Sequence, residues 1–284
     1  MKKLFGFVGA AALSFALVAC GTSDEGQQQA GDTAGEGEQE ERVTLVVGAS
    51  AVPHTEVLEA AKPLLAEQGI DLEIKTFQDY ILPNQTLRDG ELDANYFQTP
   101  GYLAMQIEEN GYEFESVGAI HAEPIGVYSK EYRSLDELPD GAKIIMSDSI
   151  SDHGRILPIF ERAGLIELDN AEGELATREN IVANPKNLDF STLVEARILA
   201  PSFENGEGDA VVINTNYALE GGVDIEKYGI AFEGADVLQP NLIVVRSEDK
   251  DRPEFQTLVE VLRSEEIVNF INETYNGAVI PMVD

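Results

Sequence analysis

The sequence predicts an α/β fold with largely parallel sheets. Three observations carry this. Short apolar strand runs alternate with helical periodicity along most of the chain. One turn–strand unit recurs in the two halves. And 43% of the 284 residues are hydrophobic, enough to fill real cores.

Taken in order, Val43 to Gly48 is a short strand run. Pro53 to Gly69 carries Val57, Ala60, Ala61, Leu64 and Leu65 at helical spacing and stops on glycine. Leu72 to Phe77 reads as a strand, and Leu103 to Gly111 as part of a helix. Lys143 to Met146 is a strand, followed by a helix from about His153 to Ala163. Val211 to Ile213 is a buried strand with a helix after Thr215. Leu242 to Val245 is a last strand, and helices near Glu254 to Arg263 and Glu265 to Tyr275 close the chain.

The recurring unit is Asp89-Gly-Glu-Leu-Asp-Ala94 before Asn-Tyr-Phe-Gln98, echoed by Asn205-Gly-Glu-Gly-Asp-Ala210 before Val-Val-Ile-Asn214. Each is a turn, then a strand, then a polar residue five places after the aspartate. Common turn chemistry would account for such an echo equally well. If the echo marks one supersecondary unit in two lobes, Gln98 and Asn214 end strands that face a shared crevice, where open α/β sheets bind ligands.

The N-terminus reads as an address. Met1-Lys2-Lys3 is a positive start and Leu4 to Val18 an uncharged run, short for a membrane span. Leu17-Val18-Ala19-Cys20 then reads as a lipobox, with Cys20 as the lipid attachment point and residues 1–19 as the signal peptide. Cys20 is the only cysteine, so the exported chain does without disulfides. Residues 20–42 contain no apolar side chain larger than alanine after Cys20 and are expected to form a disordered acidic tether, with a reach of roughly 25 Å. Roughly 240 residues remain, enough for one large domain or two lobes. The formal charge of −33 argues against nucleic acid as a partner and against electrostatic adhesion to anionic lipid.

Catalytic signatures are missing. There is no Gly-x-Ser-x-Gly elbow, His-Glu-x-x-His, phosphate loop or dinucleotide fingerprint. The three histidines, His54, His121 and His153, are scattered, and no His-rich loop suggests a metal. The chain is expected not to be an enzyme and to need no cofactor. What remains suits a small zwitterion. Arg155 in Ser-Asp-His-Gly-Arg stands at a helix start, fit to take a carboxylate bidentately, or equally to face solvent. Asn214 and Asn241 border apolar strands and need partners, or serve as turn residues. Tyr80, Phe97 and Tyr102 suit either a core or the wall around a thioether.

These residues, in this order, resemble the NlpA lipoprotein family of methionine-binding receptors for ABC importers. The resemblance spans Val43 to Val283. It is carried by Val52-Pro-His-Thr-Glu56, Phe77-Gln-Asp-Tyr-Ile-Leu-Pro-Asn84, Leu92-Asp-Ala-Asn-Tyr-Phe-Gln98 with Tyr102, Gly154-Arg155, Asn184-Pro-Lys-Asn-Leu188, Val212-Ile-Asn-Thr-Asn-Tyr-Ala218 and Asn241-Leu-Ile-Val244. It implies a two-lobed type II periplasmic-binding-protein-like fold, with the ligand cleft between lobes. Residues 43–125 and 237–284 would form lobe 1 and 126–236 lobe 2. It also implies a lipid-anchored, extracytoplasmic protein of the cell membrane, partnered by an ABC permease and ATPase. The ligand carboxylate would pair with Arg155, Asn214 and Asn241 would fix its polar atoms, and Tyr80, Phe97 and Tyr102 would line the side-chain pocket.

Two positions depart from the family pattern. Asp152 stands where an asparagine is common, and Thr99 where a histidine usually follows Phe97-Gln98. A carboxylate repels a ligand carboxylate and attracts an α-ammonium. Asp152 is therefore expected to read the ligand amine, or to mark a pocket retuned for another amine-bearing ligand such as a methionine-containing dipeptide. A surface adhesin or signalling lipoprotein is the alternative of another class.

Overall fold

The computed structural model describes residues 42–171 and 173–283. The expected signal peptide, Cys20 and the tether up to residue 41 lie outside the described residues. The first half runs β1 (Val43–Ser50), α1 (Glu56–Glu67), β2 (Ile70–Phe77), α2 (Leu82–Arg88), β3 (Ala94–Gln98), α3 (Pro100–Asn110) and β4 (Phe114–Ala122). It continues with β5 (Gly126–Tyr128), β6 (Lys143–Ser147), α4 (Ile150–Arg162), β7 (Glu167–Leu168), β8 (Ile181–Ala183), β9 (Asp189–Val194), α5 (Ala196–Glu204) and β10 (Ala210–Ile213). The chain closes with α6 (Thr215–Glu220), α7 (Ile225–Tyr228), β11 (Gly229–Phe232), β12 (Pro240–Arg246), α8 (Pro253–Leu262), α9 (Glu265–Tyr275) and β13 (Ile280–Pro281).

Two large sheets organise these elements as two lobes, with β7 and β8 paired antiparallel as a separate small sheet. One has the order β13-β4-β12-β3-β1-β2, the other β11-β5-β10-β6-β9. Neither is largely parallel, which corrects the sequence expectation. In the first, β1 pairs in parallel with β2 and β3, while β12 runs antiparallel to β3 and β4. In the second, β6 is parallel to β9 and β10, and β5 is antiparallel to β10 and β11. The parallel strands are linked by crossover helices in the usual way. The antiparallel ones flank the two segments where the chain changes sheets, Glu123–Ile125 after β4 and Glu233–Gln239 before β12. Strand direction leaves no mark on apolar periodicity, so the sequence did not announce this mixture.

Packing follows the helix faces. Val57, Leu58, Ala61 and Leu65 of α1 bury against Leu45 and Val47 of β1 and against Phe255, Leu258 and Ile271 of the last two helices. The C-terminal segment thus completes the core of the first sheet. Ile156, Leu157 and Phe160 of α4 pack with Ile144 and Met146 of β6, and α5 and α6 cover the opposite side of the second sheet. Each fully buried Leu, Ile or Phe side chain is worth about 1.5–3 kcal/mol of apolar burial, so cores of this size hold without a cross-link.

The echoed turns are the same structure twice. Asp93 donates its N–H to the Val46 carbonyl (2.8 Å) while its carboxylate accepts the Val46 N–H (2.8 Å). Asp209 does the same with Lys143, at 2.9 and 2.7 Å. Gly90 and Gly206 adopt φ of 77° and 71° in the preceding turns, a backbone region that favours glycine. Each aspartate therefore seats its strand, β3 or β10, in register beside the central parallel strand of its sheet.

Candidate ligand-binding site

Those two strands end at one pocket. It is lined by Tyr80, Phe97, Gln98, Thr99, Tyr102, Glu123, Ile125, Asp152, Arg155, Asn214, Thr215, Asn216 and Asn241, with ≈ 410 Å³ of unfilled space, part of it open to solvent. All nine residues singled out for ligand contact line it. Glu123, Ile125, Thr215 and Asn216 were not singled out. Asn216 stood inside a quoted motif, and Glu123 was hidden among 52 acidic residues.

The first sheet supplies an aromatic wall. Tyr80 lies 5.9 Å from both Phe97 and Tyr102, ring centre to ring centre, and 5.0 Å from Tyr217 of α6. The Tyr102 hydroxyl donates to the Tyr80 carbonyl at 2.8 Å, which fixes the wall's edge. Tyr80 reaches across the pocket to donate to Asn216 Oδ1 at 2.6 Å. Burial, then the fields of Tyr217, Asp152 and Glu123, hold the Tyr80 phenol well above its usual range, so it stays a donor. Thr99 caps α3 rather than extending the wall, its side chain accepting a long 3.5 Å bond from the Tyr102 N–H.

Gln98 is committed to its own lobe. Its amide nitrogen donates to Asn84 Oδ1 (2.8 Å) and Asn95 Oδ1 (2.9 Å), its oxygen accepts from Asn84 (3.1 Å), and Asn95 donates to Asn84 Oδ1 (2.8 Å). Asn84 and Asn95 are wholly buried. Both amide hydrogens of Gln98 are used, so it meets the pocket as a wall and not as a donor.

From the second sheet, Asp152 and Arg155 project from one face of α4, three residues apart. The helix begins at Ile150, earlier than the sequence suggested, so Arg155 sits in its second turn. Arg155 is buried and already engaged. Its Nε and Nη2 donate to the Glu233 carboxylate at 2.7 and 2.5 Å, and Nη2 also donates to the Glu123 carbonyl at 2.9 Å. Both partners stand on the segments that join the sheets, and Ile125 and Glu233 also bond each other there (2.8 and 3.1 Å). Arg155 thus clamps the two crossovers and keeps Nη1 without a partner among the described residues. Burial pushes the Glu233 carboxyl up, and Arg155 pulls it back.

Behind the pocket two of the three histidines, His54 and His121, converge despite their separation in sequence. The His54 and His121 rings lie 4.9 Å apart. His54 Nε2 donates to Asn241 Oδ1 at 3.1 Å, His121 Nε2 donates to Glu123 Oε1 at 2.6 Å, and His121 Nδ1 accepts the Tyr96 hydroxyl. Burial drops His54 to about 4 and His121 to about 3, so both are neutral at physiological pH. Burial raises the Glu123 carboxyl, with His54 and Arg155 opposing. Ligand atoms of His54, His121 and Glu123 lie within 4.8 Å of one another, a donor set that could hold a metal. Both Nε2 protons go to oxygen acceptors, and within the cluster His54 Nδ1 is left buried without a partner.

Among the residues that line the pocket, two buried polar atoms have no partner, Asn214 Oδ1 and Asn216 Nδ2. Asn214 spends its Nδ2 on Asp152 at a long 3.3 Å, and Asn216 spends its Oδ1 on Tyr80. One acceptor and one donor are therefore free, alongside Arg155 Nη1 and the Asp152 carboxylate. The pocket can hold a molecule bearing both an ammonium and a carboxylate, with an apolar tail against the aromatic wall.

Comparison with known proteins agrees with that chemistry. The NlpA lipoprotein family model matches residues 45–283. The methionine-binding lipoprotein MetQ of Bacillus subtilis (strain 168) is 42% identical over 287 residues, covering 99% of both chains. A crystal structure of a lipoprotein from Bacillus subtilis superposes with a TM-score of 0.82 at 43% identity, covering 85% of this chain and 98% of the other. A nutrient binding protein from Burkholderia cenocepacia bound to methionine superposes with a TM-score of 0.79 at 36% identity, covering 84% and 99%.

Proposed function

The chain belongs to the NlpA lipoprotein family, and we propose that it captures methionine between its two lobes and delivers it to an ABC permease and ATPase. Lobe 1 comprises residues 43–125 and 237–284 and lobe 2 residues 126–236, moving about the crossovers that Arg155 clamps. The protein is held on the outer face of the cell membrane by acyl chains on Cys20. No described helix is long and apolar enough to cross a membrane. It binds without making or breaking a bond, and the family is one of substrate-binding lipoproteins rather than enzymes.

The observation that carries this reading is the pair of buried, unpartnered atoms on Asn214 and Asn216, set between an aromatic wall and one free guanidinium nitrogen. Arg155 Nη1 and Asn216 Nδ2 take the ligand carboxylate. Asp152 and Asn214 Oδ1 take the ammonium. Tyr80, Phe97 and Tyr102 enclose the thioether, and Asn241 borders the polar end, its oxygen held by His54.

A thermal-shift screen of amino acids and dipeptides tests the assignment. Methionine at a hundred times its dissociation constant is expected to stabilise the fold by about 2.7 kcal/mol. A shift with another amine-bearing ligand alone would replace methionine, and no shift with any would favour an adhesin. Calorimetry of Asp152→Asn tests the ammonium contact, since tighter methionine binding would rule it out.

A further inference from the structure

The short helix α6 (Thr215–Glu220) covers the second sheet, yet its side chains reach the first lobe. Its start is fixed to the first crossover, where Thr215 Oγ1 donates to the Pro124 carbonyl at 2.5 Å. From there it packs along residues 51–55, which follow β1. Tyr217 and Ala218 bury in the core of the second sheet, while Leu219 lies against the core of the first. Tyr80 returns the exchange, standing on the loop after β2 and packing against the core of the second sheet. Each lobe thus seats one large side chain of the other.

A hydrogen bond outside the pocket accompanies this exchange. The Tyr217 hydroxyl donates to the Gln78 carbonyl at 3.3 Å, from one lobe to the other, and the Tyr217 ring meets Tyr80 at 5.0 Å. Neither Tyr217 nor Leu219 lines the ligand pocket, so these contacts need no ligand atom. On its other flank α6 borders a second groove, with ≈ 1020 Å³ of unfilled space, part of it open to solvent. Leu219, Val223 and Phe232 line one side of that groove, and Tyr275 and Ala278 the other. The helix therefore has a seat against the first lobe and open space beside it. It can leave that seat without displacing packed atoms.

Building on the receptor reading, we infer that α6 is a closing latch: Tyr217 and Leu219, which touch no ligand, hold the lobes together and so set affinity from outside the pocket. Opening the cleft returns Leu219, the Tyr217 hydroxyl and the Gln78 carbonyl to water, so both contacts favour the closed form alone. A ligand held between the lobes leaves only after they break. Their contribution is common to every ligand, because it bears on closure and not on recognition. The closed form is then populated before a ligand arrives, and the apparent affinity follows that population. Selectivity lies in the pocket, and part of the tightness lies in α6.

Two measurements on the full chain test this together: the release rate of labelled L-methionine chased with excess unlabelled methionine, and small-angle scattering. Leu219→Ala is expected to release methionine roughly tenfold faster than wild type. Tyr217→Phe, whose ring still fills the second core and whose folding is checked by its melting curve, is expected to release it roughly threefold faster. Without ligand, the Leu219→Ala chain is expected to scatter as a more open particle than wild type, and at saturating methionine as the same closed one. Release rates equal to wild type in both variants, or a ligand-free Leu219→Ala chain no more open than wild type, would overturn the latch while the receptor reading stands. If wild type binds no methionine, the receptor reading fails, and the ligand-free scattering comparison still decides whether α6 holds the lobes closed.

Discussion

Two polar clusters border the same pocket and differ in one respect. Asn84, Asn95 and Gln98 form a ring of buried amides in which each side chain bonds the others. Asp152, Asn214 and Asn216 are buried to a similar degree, yet the two asparagines keep an oxygen and a nitrogen unpartnered. A buried polar group without a partner costs stability, and a closed network fixes geometry. The first cluster is therefore scaffold, locking the end of β3 so that Phe97 and the aromatic wall stand still. The second is left incomplete by the protein, and in the proposed function a ligand completes it.

The largest effect comes from breaking the link between the clusters' two lobes. Arg155→Ala leaves Glu233 buried without its cation and is expected to cost about 3–5 kcal/mol in urea unfolding, along with methionine binding. A loss of binding at unchanged stability would show that the crossover clamp carries no weight. Next, Asn84→Ala is expected to cost about 1–3 kcal/mol of stability, by leaving its amide partners unsatisfied, while the folded protein keeps its affinity. Asn214→Ala is expected to do the reverse, staying within about 0.5 kcal/mol of wild type but binding methionine about tenfold more weakly. Equal effects of the two on stability would erase the distinction between scaffold and site.

Proton linkage probes the network behind both clusters. Burial lowers His54 from 6.5 to about 4. Below pH 6.5 the native state binds fewer protons there than the unfolded chain, so the stability present above 6.5 is lost as the pH falls toward 4. Glu123 and Glu233, raised by burial, act in the opposite sense. The difference between wild type and His54→Gln isolates the histidine. It is expected to shift in the variant's favour by about 1.4 kcal/mol per pH unit across that window. A pH-independent difference would mean His54 is not held neutral. Smallest, Thr99→Ala removes a long capping bond on α3 and is expected to cost about 0.5 kcal/mol, read from the melting curve.

Much of this arrangement could be read before the fold was seen, because it rests on local pattern. The Asp93 and Asp209 turns, the glycines before them and the polar residues ending β3 and β10 are each spelled within ten residues or so of chain. What escaped depends on long-range partners. His54, in the segment between β1 and α1, and His121 of β4 meet only because β1 and β4 are strands of the same sheet. Arg155 read as a carboxylate ligand, but Glu233, far along the chain, already holds two of its nitrogens. Glu123 carried no local mark at all: in so acidic a chain, only burial separates a site carboxylate from a solvated one.

Titration of the native protein with L-methionine by calorimetry tests the central claim most directly. One molecule is expected to bind per chain, with a favourable enthalpy as the free atoms of Asn214, Asn216 and Arg155 gain partners. Absence of binding, while the protein melts cooperatively, would contradict the assignment of those atoms to a ligand.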